Sequence, residues 1–264
     1  QQFQLEMELR HAGDNQQFQL YYQPIIDLGS GNIAGFEALI RWQHPERGMV
    51  PPNEFIDIAE DTGLILAMGR WILNEACCQL RQWQQLFPRE TPLFISVNLS
   101  SRQFIQPELA NMIAAIVHHP RVNTRGLKLE LTESVAMEDV EAAIDQLIRL
   151  KDKGLHISLD DFGTGYSSLS YLHRFPIDSL KIDKSFVDRM ESIGENADIV
   201  GTIVTLGHRL RLDIIAEGVE TPEQAHLLKQ LQCQYAQGYL FSKPLPEAQA
   251  TRLLEQWRLW PTDG

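Results

Sequence analysis

Two adjacent carboxylates, Asp160 and Asp161, close an apolar run in the segment HISLDDFGTGYSSL (156–169). Two unit charges about 4 Å apart repel by roughly 4 kcal/mol at an effective dielectric near 20. The pair must therefore splay into solvent or hold something positive between its members. Further acids interrupt apolar runs elsewhere: Glu37, Glu130 and Glu217, with the neutral Asn98 similarly placed. Five ionised carboxylates gathered in one partly dry cleft would take up protons or recruit cations. An oxygen-only ligand set, with no His or Cys in it, suits Mg²⁺ or Mn²⁺ better than Zn²⁺. Aspartates in tandem would let one bridge two ions while the other binds only one. Lys181 alone would read as an exposed charge or a salt-bridge partner; beside such a cluster it could orient or deprotonate an attacking water. Each acid alone would likewise read as a solvated loop residue, so the chemistry depends on convergence.

Convergence is a matter of the elements that carry these residues. FQLYYQPIIDL (18–28) and IAGFEALIRW (33–42) read as strands joined by the short glycine-rich GSGN, an antiparallel hairpin. A long helical stretch follows, broken at Thr62-Gly63. From there strands and helices alternate: LFISVNLS (93–100), LKLELTES (127–134), HISLDDF (156–162), SLKIDKSF (179–186), LDIIAEGVE (212–220) and YAQGYLFSKPL (235–245) each precede a helical pattern. The total is eight strands, with helices after the second through the eighth. Alternation implies a mainly parallel sheet, and eight strands in about 250 residues suit a closed α/β barrel. An open doubly wound sheet is the alternative, weakened because no G-x-G-x-x-G fingerprint follows the first strand. In a barrel the carboxyl ends of the strands meet on one face. That face would gather Glu37 and Arg41, Asn98, Glu130 with Glu133, Asp160 and Asp161, Lys181 with Asp183, Glu217 with Glu220, and Gln237.

Over 264 residues the formal net charge is −12, with no Lys/Arg cluster, which argues against a partner that is polymeric nucleic acid. It leaves room for a small anionic ligand, because bound cations reverse the local field. Cys77, Cys78 and Cys233 include no CxxC and read as plain thiols of a reducing cytoplasm. No run of about 18 apolar residues suggests a membrane span, and the first residues lack the pattern of a signal peptide. They begin without Met and look amphipathic. The expectation is an excerpt from a longer protein: residues 1–15 a linker helix from an upstream domain, residues 16–260 the barrel. The tryptophan-bearing helices read as core-facing, with packing against a partner domain as the alternative.

FEALIRW (36–42), carrying Glu37, Leu39 and Arg41, resembles the signature of the EAL domain family of cyclic di-GMP phosphodiesterases. SVNLS (96–100), LELTES (129–134), DDFGTGYSSL (160–169), LKIDKSFV (180–187), IAEGVET (215–221) and AQGYLFSKPL (236–245) match further blocks in the family's order, and YYQPI (21–25) its opening strand. The resemblance implies a modified TIM-type (β/α)8 barrel whose first strand is antiparallel, in agreement with the hairpin. It implies hydrolysis of cyclic di-GMP to linear pGpG by a water activated between two Mg²⁺ or Mn²⁺ ions, with Ca²⁺ expected to be non-productive. By the same resemblance Glu37, Asn98, Glu130 and Asp160 would hold one ion, and Asp160, Asp161 and Glu217 the other. Lys181 would contact the attacking water, with Glu37, Glu217 and Glu220 completing the catalytic group. Gln23, Leu39, Arg41 and Gln237 would line the substrate. Glu133 would anchor the loop after Asp161, where Gly163 and Gly165 would permit the backbone turn that two neighbouring aspartates need to share a centre. A homodimer through the loop and helix at residues 163–175, an upstream sensor and a cytoplasmic location, within a larger or membrane-anchored protein, also follow. Two rivals remain: a catalytically silent cyclic di-GMP receptor, and a different metal-dependent barrel enzyme.

Overall fold

The GSGN turn folds β1 (Phe18–Asp27) back onto β2 (Ile33–His44), which sets Gln23 directly opposite Glu37. Gly31 takes the positive φ of 71° that so short a connection requires. The computed structural model describes residues 2–117, 126–163, 169–190 and 195–260. Around the hairpin lie α1 (Gln2–Ala12), β3 (Gly48–Val50), α2 (Pro52–Thr62) and α3 (Leu64–Leu86). Next come β4 (Phe94–Asn98), α4 (Ser101–Phe104), α5 (Leu109–Val117), β5 (Leu127–Thr132), α6 (Glu133–Glu138) and α7 (Val140–Asp152). The remainder is β6 (His156–Phe162), α8 (Leu169–Leu172), β7 (Ser179–Ile182), α9 (Lys184–Val187), α10 (Glu195–Arg209), β8 (Asp213–Ala216), α11 (Pro222–Gln230), β9 (Tyr235–Gln237), β10 (Leu245–Pro246) and α12 (Glu247–Gln256).

Strands β2, β4, β5, β6, β7, β8 and β9 pair in parallel in that order, and β1 closes the ring antiparallel to both β2 and β9. The barrel therefore has eight strands, one of them reversed. The alternative of an open doubly wound sheet is overturned by the β1–β2 and β1–β9 pairings, which leave the ring without an edge. Two short strands that periodicity does not reveal, β3 and β10, add antiparallel extensions to β2 and β1. SLKIDKSF pairs only as far as Ile182, because the Asp183 side chain accepts the Ser185 N–H and starts α9 instead. The helical stretch after β5 is likewise divided, with Asp139 capping α7 through the Ala142 N–H. At the Thr62-Gly63 break, Gly63 adopts φ 79° and its N–H closes α2 on Glu60.

Parity along the strands decides what faces the barrel axis. One inward layer below the acids come Ser96, Ser158 and Ser179, all fully buried, with Ile25 and Ile215. Large apolar side chains pack outside the barrel against the helices, as where Phe36 meets Trp83 with ring centroids 4.5 Å apart. Among the described residues the apolar packing inside joins Ile25, Phe94 and Ile215 with Ala34 and Tyr235, and the carboxylates sit above the small serine side chains of that layer. Helix α1 buries Leu5, Leu9 and Ala12 against the same outer core, and Glu8 meets His44 of β2 at 3.2 Å.

Candidate active site

Lys181 answers the charge problem that Asp160 and Asp161 pose. Its side chain is completely buried, and its Nζ lies 2.6 Å from Glu130 Oε2, 2.7 Å from Glu217 Oε1, 3.3 Å from Asp160 Oδ2 and 3.7 Å from Glu37 Oε2. One ammonium thus joins acids carried by β2, β5, β6 and the segment after β8. It occupies this position because β7 is short and fully buried, with Lys181 as its inward residue next to the end.

The turn that brings Asp161 alongside Asp160 falls at Asp161 itself. The β6–β7 register shifts between Leu159 and Phe162, and Asp161 takes φ 55°. Its N–H donates to Asp160 Oδ1 at 2.8 Å. This bulge lies just ahead of the glycine-rich run expected to permit the turn. Gly163 follows with φ 95° and donates its N–H to Glu133 Oε2 at 3.1 Å, whereas Gly165 lies outside the described residues. Oxygens of Asp160, Asp161 and Glu217 come within 4.8 Å of one another.

Amides orient the other side of the cluster. Asn98 Nδ2 donates to Glu37 Oε1 at 2.7 Å and Gln237 Nε2 to Glu37 Oε2 at 2.6 Å. Gln237 Nε2 also reaches Gln23 Oε1 at 3.0 Å, and Gln23 in turn donates to the Ser242 carbonyl at 3.1 Å. With its amino group committed, Asn98 keeps its oxygen as a ligand atom. Above the acids opens a cavity of about 310 Å³ whose wall includes Gln23, Leu39, Asp160, Glu217, Gln237 and Tyr239. Arg41, two residues beyond Leu39, stands outside that wall with its guanidinium over the Tyr21 ring at 5.5 Å. Glu220 is not drawn into the Lys181 cluster; it pairs with Lys184 on the rim. Tyr239 and Lys184 are rim residues that the sequence pattern does not single out, although both lie inside the blocks that resemble the family. Tyr239 is 57% exposed and follows Gly238, where a Cβ would come 2.0 Å from the Val219 carbonyl oxygen. An exposed aromatic directly after a strand-end Gln-Gly is the available signal.

Electrostatics follow from burial against one shared cation. Burial alone would lower the Lys181 pKa, but Asp160, Glu130, Glu217 and Glu37 together hold it well above the ordinary lysine value. Burial raises Glu217 to about 8 in spite of Lys181, and it raises Glu130 well above the ordinary value. Burial and the neighbouring Asp160 raise Asp161 too. Glu37 moves the other way, because Lys181 and the Gln237 and Asn98 hydrogen bonds outweigh its burial. An acid with a raised pKa binds its proton in the fold at pH values where the unfolded chain has released it. Its stabilising contribution is present below about pH 4.5 and is lost as pH rises toward 8. Protein held in EDTA should therefore lose a few kcal/mol of stability between about pH 5 and 8.5, since a tenfold change in proton affinity is worth about 1.4 kcal/mol. Thermal denaturation across that range checks this, and Glu217→Gln should remove much of the slope. A melting temperature that holds level or rises, or a slope unchanged in the variant, would contradict it.

The EAL domain family matches residues 6–244. Over 249 residues the chain is 43% identical to the bifunctional diguanylate cyclase/cyclic di-GMP phosphodiesterase MucR of Pseudomonas aeruginosa, covering 94% of this chain and 36% of that protein. It is 38% identical over 258 residues to the cyclic di-GMP phosphodiesterase NbdA of the same organism, covering 98% of this chain and 33% of the relative. The chain thus spans about a third of the length of these relatives. Its fold superposes on the PaMucR phosphodiesterase solved as a c-di-GMP complex with a TM-score of 0.88, at 42% identity, covering 94% of this chain and 99% of that one. With the acids at one mouth of an eight-stranded barrel and a family match across nearly its whole length, the chain belongs to the EAL domain family.

Proposed function

We propose that this domain hydrolyses one phosphodiester bond of cyclic di-GMP, releases linear pGpG and so lowers the level of the messenger. The observation that carries this reading is the ring of Glu37, Glu130, Asp160 and Glu217 about the buried Lys181, with Asp161 brought beside Asp160 by the bulge. Likeness to phosphodiesterases named for cyclic di-GMP supports it.

The residues fit divalent cations. Every donor is oxygen, four carboxylates surround one ammonium with Asp161 beside them, and among the described residues Glu130 Oε1 is buried without a hydrogen-bond partner. Glu37, Asn98, Glu130 and Asp160 would hold one Mg²⁺ or Mn²⁺, and Asp160, Asp161 and Glu217 a second. Such ions supply charge neutralisation at a phosphate and a water acidic enough to attack near neutral pH. The chain's own groups do the rest. Lys181, released from part of its carboxylate contacts, donates N–H bonds that hold the attacking water in line with the scissile P–O bond. Arg41 offers a forked donor to a phosphate oxygen, where negative charge builds as the bond to the ribose oxygen breaks. Gln23 and Gln237 fix Glu37 and, with Leu39, line the bound dinucleotide. Tyr239 presents a ring face for a guanine. Glu133 holds the loop after Asp161, and Glu220 steadies the ion and water network from the rim.

Residues 16–260 then form the catalytic domain, and residues 1–15 a linker from an upstream sensor. Pairing of two copies through residues 163–175 would couple that sensor to the loop carrying Asp161; residues 164–168 of this stretch lie outside the described ones. The proposed setting is the cytoplasm. Among the described residues no helix is long and apolar enough to cross a membrane.

The test is incubation with cyclic di-GMP. Mg²⁺ or Mn²⁺ should yield pGpG, excess EDTA should stop it, and Ca²⁺ should not replace them. Tight binding without pGpG under every metal would make the domain a receptor instead.

A further inference from the structure

We propose that the opposite, amino-terminal mouth of the barrel is a second small-molecule site, for a planar nitrogen heterocycle bearing a phosphate, of mononucleotide size. A cavity of about 560 Å³ opens there, inside the range of roughly 300–1,000 Å³ typical of ligand pockets. Its wall includes Asp27 at the end of β1, Asn32 in the hairpin turn, Arg89 before β4, and the rings of Phe94 and Tyr235 at the starts of β4 and β9. None of these residues belongs to the acid-bearing mouth.

Three features converge on that ligand chemistry. Arg89 donates from Nη1 to the Ile33 carbonyl at 2.7 Å, which fixes its guanidinium in the wall. Among the described residues it makes no ion pair, although the chain carries a formal charge of −12. Its remaining N–H groups suit phosphate oxygens. Behind the aromatic wall lies a second buried cation, Lys128, only 5% exposed. Its Nζ sits 3.9 Å from the Phe94 ring centroid and 5.4 Å from that of Tyr235. Its carboxylate neighbour, Asp213 Oδ2, is 4.0 Å away, beyond hydrogen-bond length. A cation held against an aromatic ring draws π density toward itself, which makes the rest of that ring a better partner for an electron-rich heterocycle or an anion. Finally, Asp27 uses Oδ1 to accept the Ser30 N–H at 2.8 Å and keeps its second oxygen as an acceptor for a ring N–H. Phosphate on Arg89, ring against Phe94 and Tyr235, and ring N–H toward Asp27 together describe a purine mononucleotide whose base carries a ring N–H, as guanine does, more closely than a sugar or a lone anion.

The full domain can be titrated by calorimetry in EDTA, where the metal-free acid mouth repels anions. The ligands are GMP, AMP, guanosine and inorganic phosphate. GMP should bind one to one, with AMP, whose adenine has no ring N–H, and guanosine and phosphate each weaker by roughly tenfold or more, the cost of losing one charged contact. Arg89→Gln should weaken the nucleotide by a similar factor, while cyclic di-GMP binding in Ca²⁺ stays unchanged. Because Arg89 also braces Ile33, Asp27→Asn serves as a second variant. It keeps the Ser30 contact and should weaken the nucleotide but not inorganic phosphate. The proposal is overturned if GMP does not bind at millimolar concentration, if both variants bind like the parent, or if cyclic di-GMP competes with the nucleotide.

Discussion

Replacing Lys181 with Met should cut pGpG formation by about 10²–10³-fold, the range expected when a positioned hydrogen-bond donor to the reacting atoms is lost. The same substitution should destabilise the metal-free protein. It strips the buried cation from four carboxylates that approach it within 4.0 Å, and removing one partner of a buried ion pair costs roughly 3–5 kcal/mol. The loss should be larger at pH 8 than at pH 6, because Glu217, raised to about 8, holds its proton at the lower pH and needs Lys181 less. Divalent cations should restore much of the stability without restoring turnover. This split separates the two roles of the ammonium: counter-ion in the metal-free fold, and donor to the attacking water in the loaded one. Urea denaturation with and without Mn²⁺, beside a product assay, reads both. A Lys181→Met protein as stable as its parent in EDTA at pH 8, or one that still turns over at the parent rate, would contradict the assignment.

Asp160→Asn should be nearly as severe for catalysis and far milder for folding. Its Oδ1 accepts the Asp161 N–H, a role an amide oxygen can keep, so the bulge survives. The new amino group then replaces Oδ2, which lies 3.3 Å from Lys181. Lys181 loses one acceptor yet retains Glu130 and Glu217. Metal binding fares worse, because Asp160 is the one residue assigned to both ions. Turnover should fall by about 10³-fold or more, several kcal/mol of transition-state stabilisation, and Mn²⁺ affinity should drop at least about tenfold. The melting temperature in EDTA should shift by only a few degrees. Isothermal titration with Mn²⁺ decides the matter: unchanged affinity in the variant would remove Asp160 from the ion set.

The contrast between these two substitutions marks where the sequence stops being readable. Acids at strand ends are visible because each one breaks an apolar run, and strand parity then assigns Glu130, Asp160 and Glu217 to one interior. The hairpin with its glycine-rich turn likewise foretells the reversed strand. Lys181 is different. Its residue type and place are visible, but its burial among four carboxylates depends on strands distant in sequence closing into a ring. The bulge at Asp161 is also silent, since a positive φ at an aspartate leaves no pattern; only the turn at Gly163 that follows it is marked by its residue type. β3 and β10 are too short to show a period of two. Lys128 has the parity of Glu130, yet only barrel closure shows that it lies inside, against Phe94 and Tyr235. Tyr239 stands in a loop where periodicity says nothing.

The most direct test of the central claim is a crystal structure of the domain with cyclic di-GMP and Ca²⁺, the ion expected to bind without turnover. Two ions should occupy the acid mouth, one held by Glu37, Asn98, Glu130 and Asp160, the other by Asp160, Asp161 and Glu217, with a scissile phosphate between them and Arg41. Intact cyclic di-GMP seated in the cleft with no ion on those oxygens, or ions bound away from Asp160, would contradict it.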